Sequence, residues 1–236
     1  MKAVILAAGL GSRLRPFTNE VPKAMVKYRG QEIIAHQIDT LKKVGIKNII
    51  IVTGYKSEIL EKYLSSKYDN ILFFKNLNFN FTNSAYSFNC IDRNIISGPY
   101  IHLNCDILFS EGLLKELISH PEKNVIACRN DLLLNDSMEK ASIDSSCKIT
   151  KMSLKNFNEA SVKAFGLAKI SGEALKFNLS YYDSLAKNVR EKENYFGLIR
   201  RAVQVQSYFT IISNSMSLAE FNNIEDLKNS DFIFKY

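Results

Sequence analysis

The chain has 236 residues, 46% of them hydrophobic, with only 10 glycines and 4 prolines. That is enough apolar material for one large core and too little loop-forming sequence for long unstructured tracts. Its net charge of +7 suits an anionic partner, but the cations are scattered, which argues against a nucleic-acid groove. No apolar stretch reaches membrane-span length, and the opening apolar run is one strand long without a signal-peptide cleavage pattern. A cytoplasmic protein starting at Met1 is expected. Cys90, Cys105, Cys128 and Cys147 are far apart, with no Cys-x-x-Cys pair and no histidine at zinc-finger spacing. They read as reduced, mostly buried thiols.

In chain order, Ala3–Ala8 is an apolar strand that breaks into a glycine-containing loop. Residues 31–44 carry apolar side chains at helical spacing and stop at Gly45. The Ile/Val run over 46–53 predicts a central parallel strand, and Ser57 is placed to cap a helix reaching Ser66. A strand over 70–74, a helix over 83–95 and a strand over 99–103 follow, the last ending at Asn104-Cys105-Asp106. A helix over 111–119 and a strand over 125–128 continue the alternation expected of a mostly parallel sheet covered on both faces. Residues 131–165 differ, with short β-like pieces at 141–144 and 148–153 between polar loops. They predict a small antiparallel excursion over the acceptor side of a cleft. A strand over 161–171, helices over 172–189 and 195–205, strands over 209–213 and 217–221, and a helix over 224–228 close the chain. With no repeat or linker, residues 1–236 read as one domain.

The chemistry is carried by Ala7-Ala8-Gly9-Leu10-Gly11-Ser12-Arg13-Leu14, followed by Pro22-Lys23. A buried strand here delivers a backbone-rich loop and two cations, the parts that a triphosphate site needs. A Walker A loop is excluded because no Gly-Lys-Ser/Thr follows, and a dinucleotide fingerprint because Leu14 stands at the third glycine. The string resembles the signature of the nucleotidyltransferases that join an NTP to a phosphorylated small molecule and release pyrophosphate. That resemblance implies an α/β, Rossmann-like three-layer fold with a mostly parallel mixed sheet. It implies nucleotide binding by Leu6, Ala8, Gly9, Gly11 and Ser12, with Arg13 on the β- and γ-phosphates and Lys23 on the α-phosphate and acceptor phosphate.

In such transfer the acceptor phosphate is already ionised, so cations, main-chain N–H groups and a carboxylate-held Mg²⁺ suffice. Asp106, beyond the end of a central strand, matches the family's metal-binding Asp; capping the next helix is the alternative. The second metal position departs from the family. In Glu220-Phe221-Asn222-Asn223-Ile224-Glu225-Asp226-Leu227 an Asn222 stands where the family has Asp, so either the metal is held more weakly or Glu220 helps. Asn222 as a helix cap is compatible with both.

The string Asn83-Ser84-Ala85-Tyr86-Ser87-Phe88 is similar to that of phosphocholine-type cytidylyltransferases. The similarity places Asn83, Ser84 and Ser87 against a cytosine, with a helix cap at Thr82 or Asn83 as the bland reading. Tyr55 lines the base pocket or packs. His36, His102 and His120 read as structural, and Lys163 contacts an anionic acceptor or is a solvated lysine. The implied reaction joins CTP to a small phosphorylated alcohol such as phosphocholine, glycerol phosphate or phosphoglutamine, for surface polysaccharide decoration. A sugar-1-phosphate enzyme using UTP, dTTP or GTP, and a nucleotide-binding protein without turnover, are the alternatives. The sequence is silent on oligomeric state.

Overall fold

The computed structural model describes residues 1–232. In chain order its elements are β1 (Lys2–Ala7), β2 (Lys27–Tyr28), β3 (Gln31–Glu32), α1 (Ile33–Lys43), β4 (Asn48–Thr53), α2 (Ser57–Lys67), β5 (Ile71–Lys75) and α3 (Ser84–Asn89). There follow β6 (Tyr100–Asn104), β7 (Ile107–Phe109), α4 (Glu111–Ser119), β8 (Val125–Arg129), β9 (Lys140–Ile143), β10 (Ile149–Ser153) and β11 (Val162–Ile170). The chain closes through α5 (Gly172–Ser184), α6 (Lys187–Arg190), α7 (Tyr195–Ala202), β12 (Phe209–Ser213), β13 (Leu218–Glu220) and α8 (Ile224–Asn229).

A nine-stranded mixed sheet runs through the molecule. Its centre is parallel, with β1 between β4 and β6, and β5 on the outer side of β4. The long β11 then runs antiparallel to β6, β8 and β9. Alternation along the central strands sends side chains to two cores. Val4, Leu6, Ile50 and Val52 pack with residues of α3, α5 and α7, whereas Ala3, Ile5, Ile49 and Ile51 pack with residues of α1, α2 and α4. This is the three-layer arrangement expected from the sequence.

The differences have local causes. The strand expected from Ile46 begins at Asn48, after an Ile46 N–H bond back to Leu41 O at 2.9 Å ends the preceding turn. Ser57 is the first residue of α2 rather than its cap, because Lys56 takes the flanking position with φ 49°. The helix expected over 83–95 stops at Asn89, and Asp92 then accepts from Asn94 N–H to form a turn. The helix over 172–189 divides after Ser184, since α6 has no buried residue to hold a continuous helix against the core. The expected antiparallel excursion is present as β9 and β10, and it joins the edge of the main sheet through the pairing of β9 with β11.

A third, smaller cluster positions the site. Leu14, Val26, Leu108, Ala219, Phe221 and Phe232 bury together. It fastens the loop after β1 to β7 and to the segment after β13, which pairs with β7. β7 escaped the sequence reading because three residues show no period.

Candidate functional site

The loop after β1 and the turn after β6 leave the same edge of the sheet, with Leu6 and Asn104 as register partners. In open α/β sheets this carboxyl edge is where ligands bind. Gly11 has φ 63°, and a Cβ there would come within 2.8 Å of Lys23 Cβ. A glycine is therefore required both by the left-handed backbone and by the close pass of the two loop limbs. Thr18 Oγ1 donates to Gly11 O at 2.9 Å and locks the pass. Ser12–Leu14 forms a 3-10 turn whose first N–H groups have no intrahelical acceptor.

Four of the expected residues meet at this edge. Lys23 Nζ donates to Asp106 Oδ2 at 2.5 Å and to Asn222 Oδ1 at 3.4 Å, and Arg13 Nη2 donates to the same Asn222 oxygen at 3.0 Å. Burial alone would lower the Lys23 pKa; the Asp106 carboxylate, with smaller pulls from Cys105 and Glu220, outweighs it and holds the ammonium above its ordinary value. Lys23 thus stays charged throughout the neutral range. Asp106 does not cap α4, since Ser110 Oγ accepts from Leu113 N–H instead. Nor does Asn222 cap α8. Asn223 does so in a capping box with Asp226, whose carboxylate also accepts from Asn222 N–H at 2.6 Å. The cap leaves the Asn222 side chain to the site, and the Phe221 N–H bond to Asp106 O at 2.8 Å joins the two segments.

Arg13, Asp106 and Asn222 line one end of a cleft of about 750 Å³ that continues past Arg129, Asn135, Met138, Glu139, Leu154 and Lys163. Lys163 is no solvated lysine. It is buried, paired with Glu220 at 2.6 Å and placed 4.3 Å from the Phe165 ring centroid. Glu220 is therefore engaged with Lys163, and it lines the same cleft as Asp106.

The residues expected to read the base divide. Asn83 caps α3, accepting from Ser84 N–H at 2.7 Å and donating to Lys192 O at 3.2 Å. Ser87 is buried and accepts from Asn76 Nδ2 at 3.0 Å. Ser84 lines the cleft, with its hydroxyl oxygen accepting from Tyr195 N–H at 2.8 Å. Leu6 and Ala8 are buried, and their carbonyls accept from Cys105 N–H and Tyr55 N–H. Gly9 leaves open space on its Cβ side. Tyr55 packs against Phe79 and donates its hydroxyl to Thr18 O, so the packing reading holds.

Residues 2–128 match the family model described as Nucleotidyl transferase, which is more than half of the chain. The chain belongs to the nucleotidyl transferase family. A CTP:phosphoglutamine cytidylyltransferase of Campylobacter jejuni is 30% identical over 204 residues, covering 80% of each sequence. Among solved structures, the CTP:phosphocholine cytidylyltransferase of Streptococcus pneumoniae superposes with a TM-score of 0.80 at 22% identity, covering 96% of both chains. The inositol-1-phosphate CTP transferase of T. maritima gives 0.79 at 20% identity, covering 95% of this chain and 90% of that one. The two structural likenesses establish the fold. Among the described residues no helix is long and apolar enough to cross a membrane.

The donor set here fits a hard divalent cation. Asp106 Oδ1 is buried and has no hydrogen-bond partner, which leaves one anionic oxygen to be satisfied. No group of three or more His, Cys, Asp and Glu side chains that could hold a metal forms among the described residues. One carboxylate and one amide oxygen are the ligand set of an ion that keeps waters and takes oxygens from phosphates, as Mg²⁺ does. The base-reading stretch implied by the resemblance begins at Asn76, and Asn104 ends the strand before Asp106. Asn76 ties the loop after β5 together through Thr82, Ser87 and Asn78 N–H, and no spacing in the sequence announces such a hub.

Proposed function

We propose that this nucleotidyltransferase is a CTP-dependent cytidylyltransferase that joins CTP to a small phosphorylated alcohol and releases pyrophosphate. The observation that carries the reading is the meeting of Arg13, Lys23, Asp106 and Asn222 at the carboxyl edge of the sheet. The Campylobacter relative, which acts on CTP and phosphoglutamine by its name, supports the choice of nucleotide and the kind of acceptor. Residues 1–236 are taken as one domain, a reading supported by the continuous sheet.

An oxygen of the acceptor phosphate attacks the α-phosphorus in line, the bond from that phosphorus to the bridging oxygen breaks, and pyrophosphate leaves. The attacking oxygen is already anionic, so no general base is needed. Lys23, kept protonated by Asp106, places its charge on the α-phosphate and the incoming phosphate. Arg13 leaves Asn222 Oδ1 for the β- and γ-phosphates, and the amides around Gly9, Gly11 and Ser12 complete the cradle. Asp106 and Asn222 would hold Mg²⁺, which would supply positive charge against that of the α-phosphate and leaving group. Ser84 faces the base, and Asn83 and Ser87 shape its loop. The acceptor lies along the wall from Asn135 to Lys163. The site of action is the cytoplasm, and the product class suits decoration of a surface polysaccharide.

Pyrophosphate release, followed for CTP, UTP, dTTP and GTP against a panel of phosphocholine, phosphoglutamine, glycerol phosphate and sugar 1-phosphates, tests the reading. Turnover is expected with CTP and an alcohol phosphate. Turnover only with a sugar 1-phosphate and another NTP overturns it, and no turnover at all leaves a nucleotide-binding protein.

A further inference from the structure

β6 holds two polar residues on one face, His102 and Asn104, two positions before Asp106. His102 is fully buried, and its ring stacks on Tyr195 at 4.0 Å between centroids with the planes 13° apart. Burial pushes its pKa down to about 3, so the imidazole is neutral at any working pH. Its Nε2 lies 3.2 Å from Asn104 Oδ1, while its Nδ1 is buried without a partner. A buried unpaired N–H costs more than an unpaired lone pair, so the ring proton belongs on Nε2, where it is donated to Asn104 Oδ1. That bond fixes the amide. With Oδ1 held from beneath, Nδ2 is the free end; it makes no hydrogen bond among the described residues, and Asn104 lines the cleft beside Asp106 and Arg13. Gly166, on the neighbouring β11, supplies the room: a Cβ there would fall 2.3 Å from Asn104 Cγ and 2.4 Å from Nδ2. The chain therefore buries a neutral imidazole and gives up a side chain on β11 to keep one amide donor on the cleft wall, against Gly166.

We infer that Asn104 donates through Nδ2 to an oxygen of the transferred phosphoryl group, with His102 and Gly166 as its positioning residues. The inference rests on the nucleotidyl-transfer reading but not on which base is used. A neutral amide adds a directed donor where charge grows on the phosphoryl oxygens, beside the undirected charge of Lys23.

The test measures the CTP dissociation constant by calorimetry and the rate of pyrophosphate release with the best acceptor, for Asn104→Ala, Asn104→Asp, His102→Gln, His102→Leu and Gly166→Ala. Loss of a donor to a charged oxygen is expected to lower kcat/KM about 10–100-fold in Asn104→Ala and to weaken CTP binding severalfold. Asn104→Asp, the same size but anionic, loses more and carries the test if the alanine chain does not fold. His102→Gln keeps a donor beneath the amide and stays within about threefold of wild type, whereas His102→Leu frees the amide and loses most of the rate. Gly166→Ala displaces the amide and behaves as Asn104→Ala. Wild-type binding and kcat in folded Asn104→Ala overturn the inference, as does an equal loss in the Gln and Leu variants at His102. If the wild-type protein binds another NTP in place of CTP, the cytidine reading fails, and the same comparison with that nucleotide still decides the role of Asn104. A wild-type protein that binds none of the four overturns both.

Discussion

Lys23 has one side chain for two tasks, and its surroundings rank them. Its bond to Asp106 fastens the first loop to the turn after β6, and the pair is mostly buried, with side chains 13% and 14% accessible, so removing the lysine also costs stability. On a transferring phosphate the same charge is worth about 10²–10³ in rate. Lys23→Ala is expected to lower kcat by that factor, beyond any loss that its lowered Tm explains; unchanged kcat in a folded variant would make Lys23 a structural residue. Asn222 permits a two-sided prediction, because its Oδ1 takes bonds from both cations. Asn222→Asp adds a charged ligand, so half-maximal rate should come at lower Mg²⁺. The same carboxylate would hold Arg13 and Lys23 in ion pairs, so the KM for CTP should rise. A fall in both constants would show that Arg13 does not leave Asn222 for the nucleotide. Asp106→Ala should be inactive at every Mg²⁺ concentration.

At the scale of elements, the wall opposite the phosphate end hangs on a lysine. Lys140, on β9, is buried, and its Nζ donates to Asn135 O at 2.7 Å, Met138 O at 3.0 Å and Leu154 O at 2.6 Å. All three of those residues line the cleft. Lys140→Met leaves the carbonyls unmet at about 1–3 kcal/mol each, an upper bound since relaxed loops recover water. The expected result is a lower Tm and a higher KM for the acceptor, with the KM for CTP within about twofold; steady-state titration of each substrate separates the two. Elements were legible in the sequence in proportion to their length and burial. β1, β4 and β11 are long and wholly or nearly buried, so their apolar runs outweighed every local conflict. β7 is three residues long and α6 four, too short to show a period. The meeting of Arg13 and Lys23 was legible because glycines and cations sit close together in the chain after β1, and that of Asp106 because it follows a central strand. The pairing of Lys163 with Glu220 and the hub at Asn76 join residues far apart in the chain or within one irregular loop, and side-chain order alone carries no trace of them.

For the whole molecule, acid should destabilise the fold through His102. An unfolded histidine binds a proton below about pH 6.5, whereas His102 in the fold resists protonation down to about 3. The unfolded state therefore binds more protons across that window. Stability from this group is complete above the unfolded pKa and falls with falling pH by up to about 1.4 kcal/mol per unit. Urea unfolding at pH 6 and pH 4 should show a slope smaller by about that amount in His102→Gln than in wild type, and identical slopes would place a charged or solvated imidazole at this position. Transfer of a cytidylyl group to a small phosphate is the activity proposed for the whole molecule. The direct measurement is a competition in which the protein, Mg²⁺ and an acceptor panel meet equal concentrations of CTP, UTP, dTTP and GTP, and the products are weighed by mass spectrometry. A CDP-linked alcohol with pyrophosphate, in at least about tenfold excess over any other nucleotide's product, is the predicted result. A UDP-, dTDP- or GDP-linked sugar as the main product, or nucleotides left intact by a folded protein, would contradict it.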